Sequence, residues 1–256
     1  MELIDVQLNG SGDVSYVFLT DVHYGSAGFA RDKFMEMVNR IADDDSCYWI
    51  GGGDYAEYIP HTDKRFDPLS FGDDELIRDL DDLVMEQTIG VRDLLLPIKH
   101  KCKGLHWGNH DADITKHHHF NVVKFLCREL EVSCLSYTAL LRMITSRRSY
   151  SVYSTHGGCG KLDYWANKVV KGWSATIYQK GHTHEMGFTS RPRVGLQSGN
   201  LHMEAEDQLF LVGGCWKRAY QEGISSYEER REYPPNPIGN YRITFHQTGE
   251  ISCRRA

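Results

Sequence analysis

Five short polar clusters, each set just after an apolar run, constrain this chain more than any other feature. They are Asp21-Val22-His23, Gly53-Asp54, Gly108-Asn109-His110-Asp111, the isolated His156 and Gly181-His182-Thr183-His184. The runs that lead into them read as strands. Residues 14–20 are apolar, β-branched and aromatic up to Asp21, the signature of a strand buried on both faces. Residues 47–50 lead to Gly51-Gly52-Gly53, 101–107 lead to Gly108, 150–155 precede His156, and 175–180 precede Gly181. Between these runs the apolar period changes to that of helices. One is expected over 29–43, with Phe34, Met37, Val38 and Ile41 on one face, and others over 73–96 (ending before Pro97), 120–130 and 161–171. Alternating strands and helices over the first 180 residues imply an α/β fold, and open α/β sheets place their sites at the carboxyl ends of strands.

The last third changes character. After a strand expected near 138–145, strands follow near 186–190, 194–199, 208–213 and 241–246, so a second sheet packs on the first, and Pro234-Pro235-Asn236-Pro237 is a loop rather than a boundary. The reading is one domain over 1–256, with an insert loop near 55–72 that carries His61, Lys64 and Arg65, and a β-rich C-terminal part. Seven scattered cysteines, odd in number and without Cys-x-x-Cys, argue against a zinc-finger or disulfide framework and for free thiols in the cytoplasm. No apolar run reaches the roughly 18 residues of a membrane span, and the start lacks the basic and apolar regions of a secretory signal. A net charge of −6 weighs against non-specific duplex binding, although bound cations would reverse the sign locally.

The clusters themselves point to metal. Asp21 and His23 are two apart, so on an extended segment their side chains share a side; His182 and His184 repeat the spacing. Asp54, Asn109 and His156 complete a set of oxygen and imidazole donors without thiolate, which suits Mn, Fe or Zn in a reactive site better than a structural zinc. Seven donors exceed one ion but suit two that share a carboxylate. Such a pair, about 3.5–4 Å apart, clamps the attacking and leaving oxygens of an in-line displacement and makes hydroxide available near neutrality.

In this order the clusters resemble the calcineurin-like metallophosphoesterase superfamily, whose pattern is Asp-x-His, Gly-Asp, Gly-Asn-His-(Asp/Glu), His and Gly-His-x-His. The resemblance covers residues 14 to about 190 and leaves the last quarter less informed. It implies a sandwich of two mixed β-sheets flanked by helices. It implies one ion on Asp21, His23, Asp54 and His184, and a second on Asp54, Asn109, His156 and His182, with Asp54 bridging. His110 would be the non-ligand histidine that protonates or stabilises the leaving oxygen. The purple acid phosphatase branch has a tyrosine three residues after the Gly-Asp carboxylate; here Glu57 stands there, which disfavours that branch. An acid at that place in other branches orients the catalytic histidine, so Glu57 is expected to fix the His110 tautomer.

The implied function is a phosphoesterase with two divalent ions, Mn foremost and Fe, Zn or Ni as alternatives, attacking in line through a metal-bridging hydroxide. Phosphodiesters are favoured, of nucleotide, cyclic nucleotide or nucleic-acid type. A phosphomonoesterase with the same metals is the first alternative, and a non-catalytic scaffold of the same fold the second. Lys64 and Arg65 are candidate substrate-phosphate contacts, or simply an exposed basic loop. His117-His118-His119 reads as a polar loop or helix start beside the site, not as a third metal site. Tyr24, Tyr55, Tyr58, Tyr164 and Trp165 offer ring faces for stacking on a base, but such residues are equally usual at core edges.

Overall fold

The computed structural model describes residues 1–59, 63, 66, 82–196, 203–224 and 226–256. Two mixed sheets lie face to face. In the first, β2 (Val14–Leu19), β3 (Cys47–Gly51) and β4 (Cys102–Leu105) run parallel, and β10 (Tyr241–Phe245) and β11 (Ile251–Arg255) add antiparallel, in the order β11-β10-β2-β3-β4. The second contains β1 (Glu2–Gln7), β5 (Thr138–Ile144), β6 (Ser149–Thr155), β7 (Ile177–Lys180), β8 (Gly187–Leu196) and β9 (Met203–Val212), in the order β1-β5-β6-β7-β9-β8. There β6, β7 and β9 run parallel.

The alternation of side chains along β2 explains why every residue of it is buried. Tyr16 and Phe18 enter the space between the sheets with Ile50, Leu141, Val152, Ile177, Leu211 and Phe245. Val17 and Leu19 face the other way, with Trp49, into a core closed by α1 (Arg31–Asp43), α2 (Leu83–Leu95) and α4 (Val122–Leu130). Phe34, Met37, Val38 and Ile41 of α1 are all buried, the face their spacing predicts. The outer face of the second sheet is covered by α5 (Leu162–Val169), whose Trp165, Ala166 and Val169 pack on Tyr178 and Phe210. Helices therefore flank both sheets.

Several expected elements take different bounds. The helix expected over 73–96 is described only as α2, after which Leu96–Lys101 forms a 3-10 turn through Pro97. The two strands expected at 186–190 and 194–199 are one, β8. It runs through Pro192 because it is the outermost strand of its sheet, where a missing N–H breaks no ladder bond. The edge strands β1 and β11 were not expected, nor was α3 (Asn109–His118). His117 and His118 end α3 and His119 caps it with φ +56°, so the histidine run is a helix end rather than a helix start. Tyr55, Tyr58 and Trp165 are core residues, while Tyr164 is exposed. Lys64, Arg65 and His61, with most of the insert loop, lie outside the described residues. No helix among the described residues is long and apolar enough to cross a membrane.

Candidate metal centre

The strands β2, β3 and β4 are parallel in one sheet, and β6 and β7 are parallel in the other. Each of the five clusters follows the carboxyl end of one of them, and the loops are stitched together by their backbones. Asp21 N–H donates to Gly53 O (3.0 Å), His23 N–H to Asp54 O (3.1 Å) and Gly181 N–H to His156 O (3.0 Å). Such close approach requires small residues. A Cβ on Gly108 would lie 2.0 Å from Asp54 Oδ1 and 2.2 Å from its backbone nitrogen, and one on Gly181 would lie 2.5 Å from Asp21 Oδ2.

Two donor groups result: Asp21, His23 and His184, and Asp54, His156 and His182. In the first, His23 Nε2 and His184 Nε2 face each other at 2.9 Å, and Asp21 Oδ1 lies 3.5 Å from His184 Nε2. In the second, His156 Nε2 lies 3.3 Å from Asp54 Oδ2. The Asn109 carboxamide joins this group with one terminal atom 3.1 Å from His156 Nε2, 2.6 Å from His182 Nδ1 and 3.2 Å from Asp54 Oδ2. With the NH2 there, those contacts are hydrogen bonds to the rings and to Asp54; with the oxygen there, it faces the same atoms as a donor atom that a cation could share with them. The donor chemistry fits divalent ions in both groups.

Neighbouring groups aim the imidazoles. The Nδ1 of His156 meets Gly52 O at 2.8 Å, and that of His23 meets Glu57 Oε2 at 3.0 Å; as donors there, both rings turn their Nε2 lone pairs to the centre. In the metal-free centre burial opposes a charge on His156, but the carboxylates of Asp54 and Asp21 outweigh it and lift the imidazole to about 10, so an ion there would have to displace the Nε2 proton. Burial likewise opposes charge on Asp54, yet the surrounding histidines hold it well below the usual carboxylate range.

The geometry differs from the sequence reading in two places. The paired ligands do not sit on extended segments: Asp21, His23, His182 and His184 have φ of +54°, +50°, +72° and +54°. The strands end at Leu19 and Lys180, and left-handed turns, not pleat alternation, bring each pair together. Glu57 does not hold His110 with its carboxylate. That carboxylate binds His23 and Lys217, while the Glu57 backbone carbonyl meets His110 Nδ1 at 2.5 Å. The donor competition explains this: His23 and Lys217 take both carboxylate oxygens. His110 stands edge to face with His23, ring centres 5.0 Å apart.

Sequence reasoning named Asp111 only as part of its cluster, without its bracing role, and missed Thr20 and Lys217. Asp111 accepts from the backbone N–H of Gly108 (2.7 Å) and Asp54 (2.8 Å), bracing two loops at the start of α3. Thr20 Oγ–H donates to Asp21 Oδ2 at 2.5 Å. Lys217 reaches Glu57 from beyond β9; Gly213-Gly214 after that strand repeats the strand-then-glycine pattern and was the available signal.

No protein-family model and no curated protein matches the chain. Among solved structures it is similar to a metallophosphoesterase from Sphaerobacter thermophilus (13% identity, 95% of this chain and 88% of that chain, TM-score 0.44). It is also similar to zinc-complexed Vps29 from Entamoeba histolytica (14%, 95% and 98%, TM-score 0.39). A third is an uncharacterized predicted phosphoesterase from Streptococcus pneumoniae (14%, 96% and 100%, TM-score 0.37). Likenesses this distant say nothing of this chain's chemistry, which rests on its own residues.

Proposed function

We propose that the chain is a phosphoesterase that works with two divalent ions. The observation that carries this is the pair of adjoining donor groups at the ends of parallel strands, each with imidazole and carboxylate donors and no thiolate. Asp21, His23 and His184 would hold one ion and Asn109, His156 and His182 the other, with Asp54 shared. Two such ions supply an acidified water and neutralise charge on the phosphoryl oxygens. The chain's own residues do the rest. Glu57 and the Gly52 carbonyl orient His23 and His156, and His110, anchored through Nδ1, keeps Nε2 to hold or hand over a proton at the leaving oxygen. The presence of all seven donors and of His110 weighs against a non-catalytic scaffold.

Metal analysis with activity assays tests this. Chelation should abolish hydrolysis of nitrophenyl phosphoesters, Mn2+ should restore it at least in part, and the active protein should contain two ions per chain. Fully active protein with a single tightly held ion would sink the two-ion reading, and a protein loaded with two ions that cleaves no phosphoester would sink the enzyme.

A further inference from the structure

Lys217 lies in the part of the chain where the motifs are silent, yet its ammonium ends on Glu57, the carboxylate that holds His23. Its Nζ is 3.1 Å from Glu57 Oε1 and 3.2 Å from Glu228 Oε1, with the lysine side chain only 11% exposed. The backbone that carries it is fixed on several sides. Trp216 N–H donates to Asp21 O (2.9 Å), Ala30 N–H to Trp216 O (2.8 Å), Arg218 N–H to Gly28 O (2.8 Å), and Asn236 Nδ2 to Lys217 O (2.9 Å). Gly28 permits this contact, since a Cβ there would meet Arg218 O at 2.6 Å. Glu228 comes from α6 (Tyr227–Arg230), a single turn capped by Ser226, which accepts from Glu229 N–H at 3.0 Å.

Glu57 is therefore pulled from two sides, one carboxylate oxygen on Lys217 and the other on His23 Nδ1. A carboxylate as buried as this needs a cation to remain charged. A charged, clamped Glu57 in turn makes Nδ1 of His23 the protonated nitrogen and leaves the Nε2 lone pair facing His184, free to hold an ion. We infer that Lys217, seated by Glu228, is a positioning residue for the metal centre: it aims Glu57 at His23 and so prepares the ion site of Asp21, His23 and His184. This rests on the two-ion reading. The C-terminal segment thereby becomes part of the metal site without supplying a ligand to it.

Manganese titration of the whole chain, read by electron paramagnetic resonance of free Mn2+, tests the inference, with circular dichroism to confirm folding. Wild-type protein should bind two ions. In Lys217→Met one of the two dissociation constants should rise by about 10- to 100-fold, the range for a lost partner of a metal ligand, while the other stays within about threefold. Lys217→Arg, whose guanidinium can still meet both carboxylates, should restore the weakened site. Unaltered binding of both ions by folded Lys217→Met overturns the inference, as does equal loss in the methionine and arginine variants. The metal-free wild type gives a readout that needs no variant to fold. Long-range 1H–15N spectra should place the His23 proton on Nδ1, and a proton on Nε2 overturns the inference. Should the wild type bind no manganese, the two-ion reading fails, and the His23 tautomer still decides the relay.

Discussion

At the scale of single residues, the centre is built against backbone preference. Asp21, His23, Asp54, His182 and His184 all have positive φ, a region in which a non-glycine residue costs about 1–3 kcal/mol. The loops tolerate this because each is tied to its neighbour by backbone hydrogen bonds and because Asp111 and Thr20 hold the carboxylate-bearing turns from below. Strain of this kind concentrates donors that strand geometry would spread apart. His110 is held differently, since its own N–H donates to Asp54 Oδ1 at 2.9 Å while its ring is anchored on the Glu57 carbonyl. His110→Asn keeps the backbone contact and offers an N–H to that carbonyl, so metal content should stay near that of the wild type. Turnover should fall by about 10²–10⁴-fold, the scale of a positioned general acid. The loss should shrink for esters of nitrophenol, whose leaving group needs little protonation. A loss that is the same for nitrophenyl and alkyl esters would assign His110 to stabilising the phosphoryl group instead.

At the scale of elements, the loops after β3 and β4 form a single unit. Gly53, with φ +91°, packs on Gly108, and a Cβ on Gly108 would overlap both the backbone nitrogen and Oδ1 of Asp54. Gly108 itself has φ −101°, so the constraint is room rather than conformation. Gly108→Ala should destabilise by about 1–3 kcal/mol, the cost of overpacking, which at this chain length is about 2–12 °C in Tm. It should also weaken manganese binding, since Asp54 must move. Gly158→Ala is the control, because a Cβ there meets nothing within 4 Å. Thermal melts and manganese titrations of the two variants check this, and a Gly108→Ala protein that melts and binds as the wild type does would refute it. The same elements show what a sequence can and cannot disclose. The helices α1 and α4 were legible because their apolar positions keep a helical period, and the strands β2 and β3 because their apolar runs stop at glycine or just before a cluster residue. The strands β1 and β11 were not, because an edge strand buries few of its side chains and the pattern fades. The convergence of the cluster side chains was legible as an order of motifs. The Lys217–Glu57 pair was not, since it joins positions far apart in the chain and leaves no period behind.

At the scale of the whole molecule, the question is which phosphoester the centre favours, and charge decides it. Two ions at the donor groups would assist monoesters and diesters alike. A monoester dianion carries one more negative charge, which monoesterases meet with free cationic side chains, best a bidentate arginine. Here the cluster loops contain no arginine: 21–24, 51–57, 108–112, 156–158 and 181–185. Two described lysines beside the cluster loops are already engaged, while a third, Lys161, is exposed at the start of α5. Lys217 is bound by Glu57 and Glu228, and Lys180 Nζ donates to the carbonyls of Gly158 (3.1 Å) and Gly160 (2.6 Å). Glu185 is exposed beside His184, and the chain as a whole carries −6. A monoanionic diester therefore meets less repulsion than a dianionic monoester. With Mn2+ at neutral pH, kcat/KM for bis-nitrophenyl phosphate should exceed that for nitrophenyl phosphate, and added salt should narrow the gap by screening the exposed carboxylates. A monoester preference of tenfold or more would mean that cations from another segment complete the site. Lys64 and Arg65 would then be the first positions to change to alanine, and loss of monoester activity alone in those variants would identify them as the missing charges.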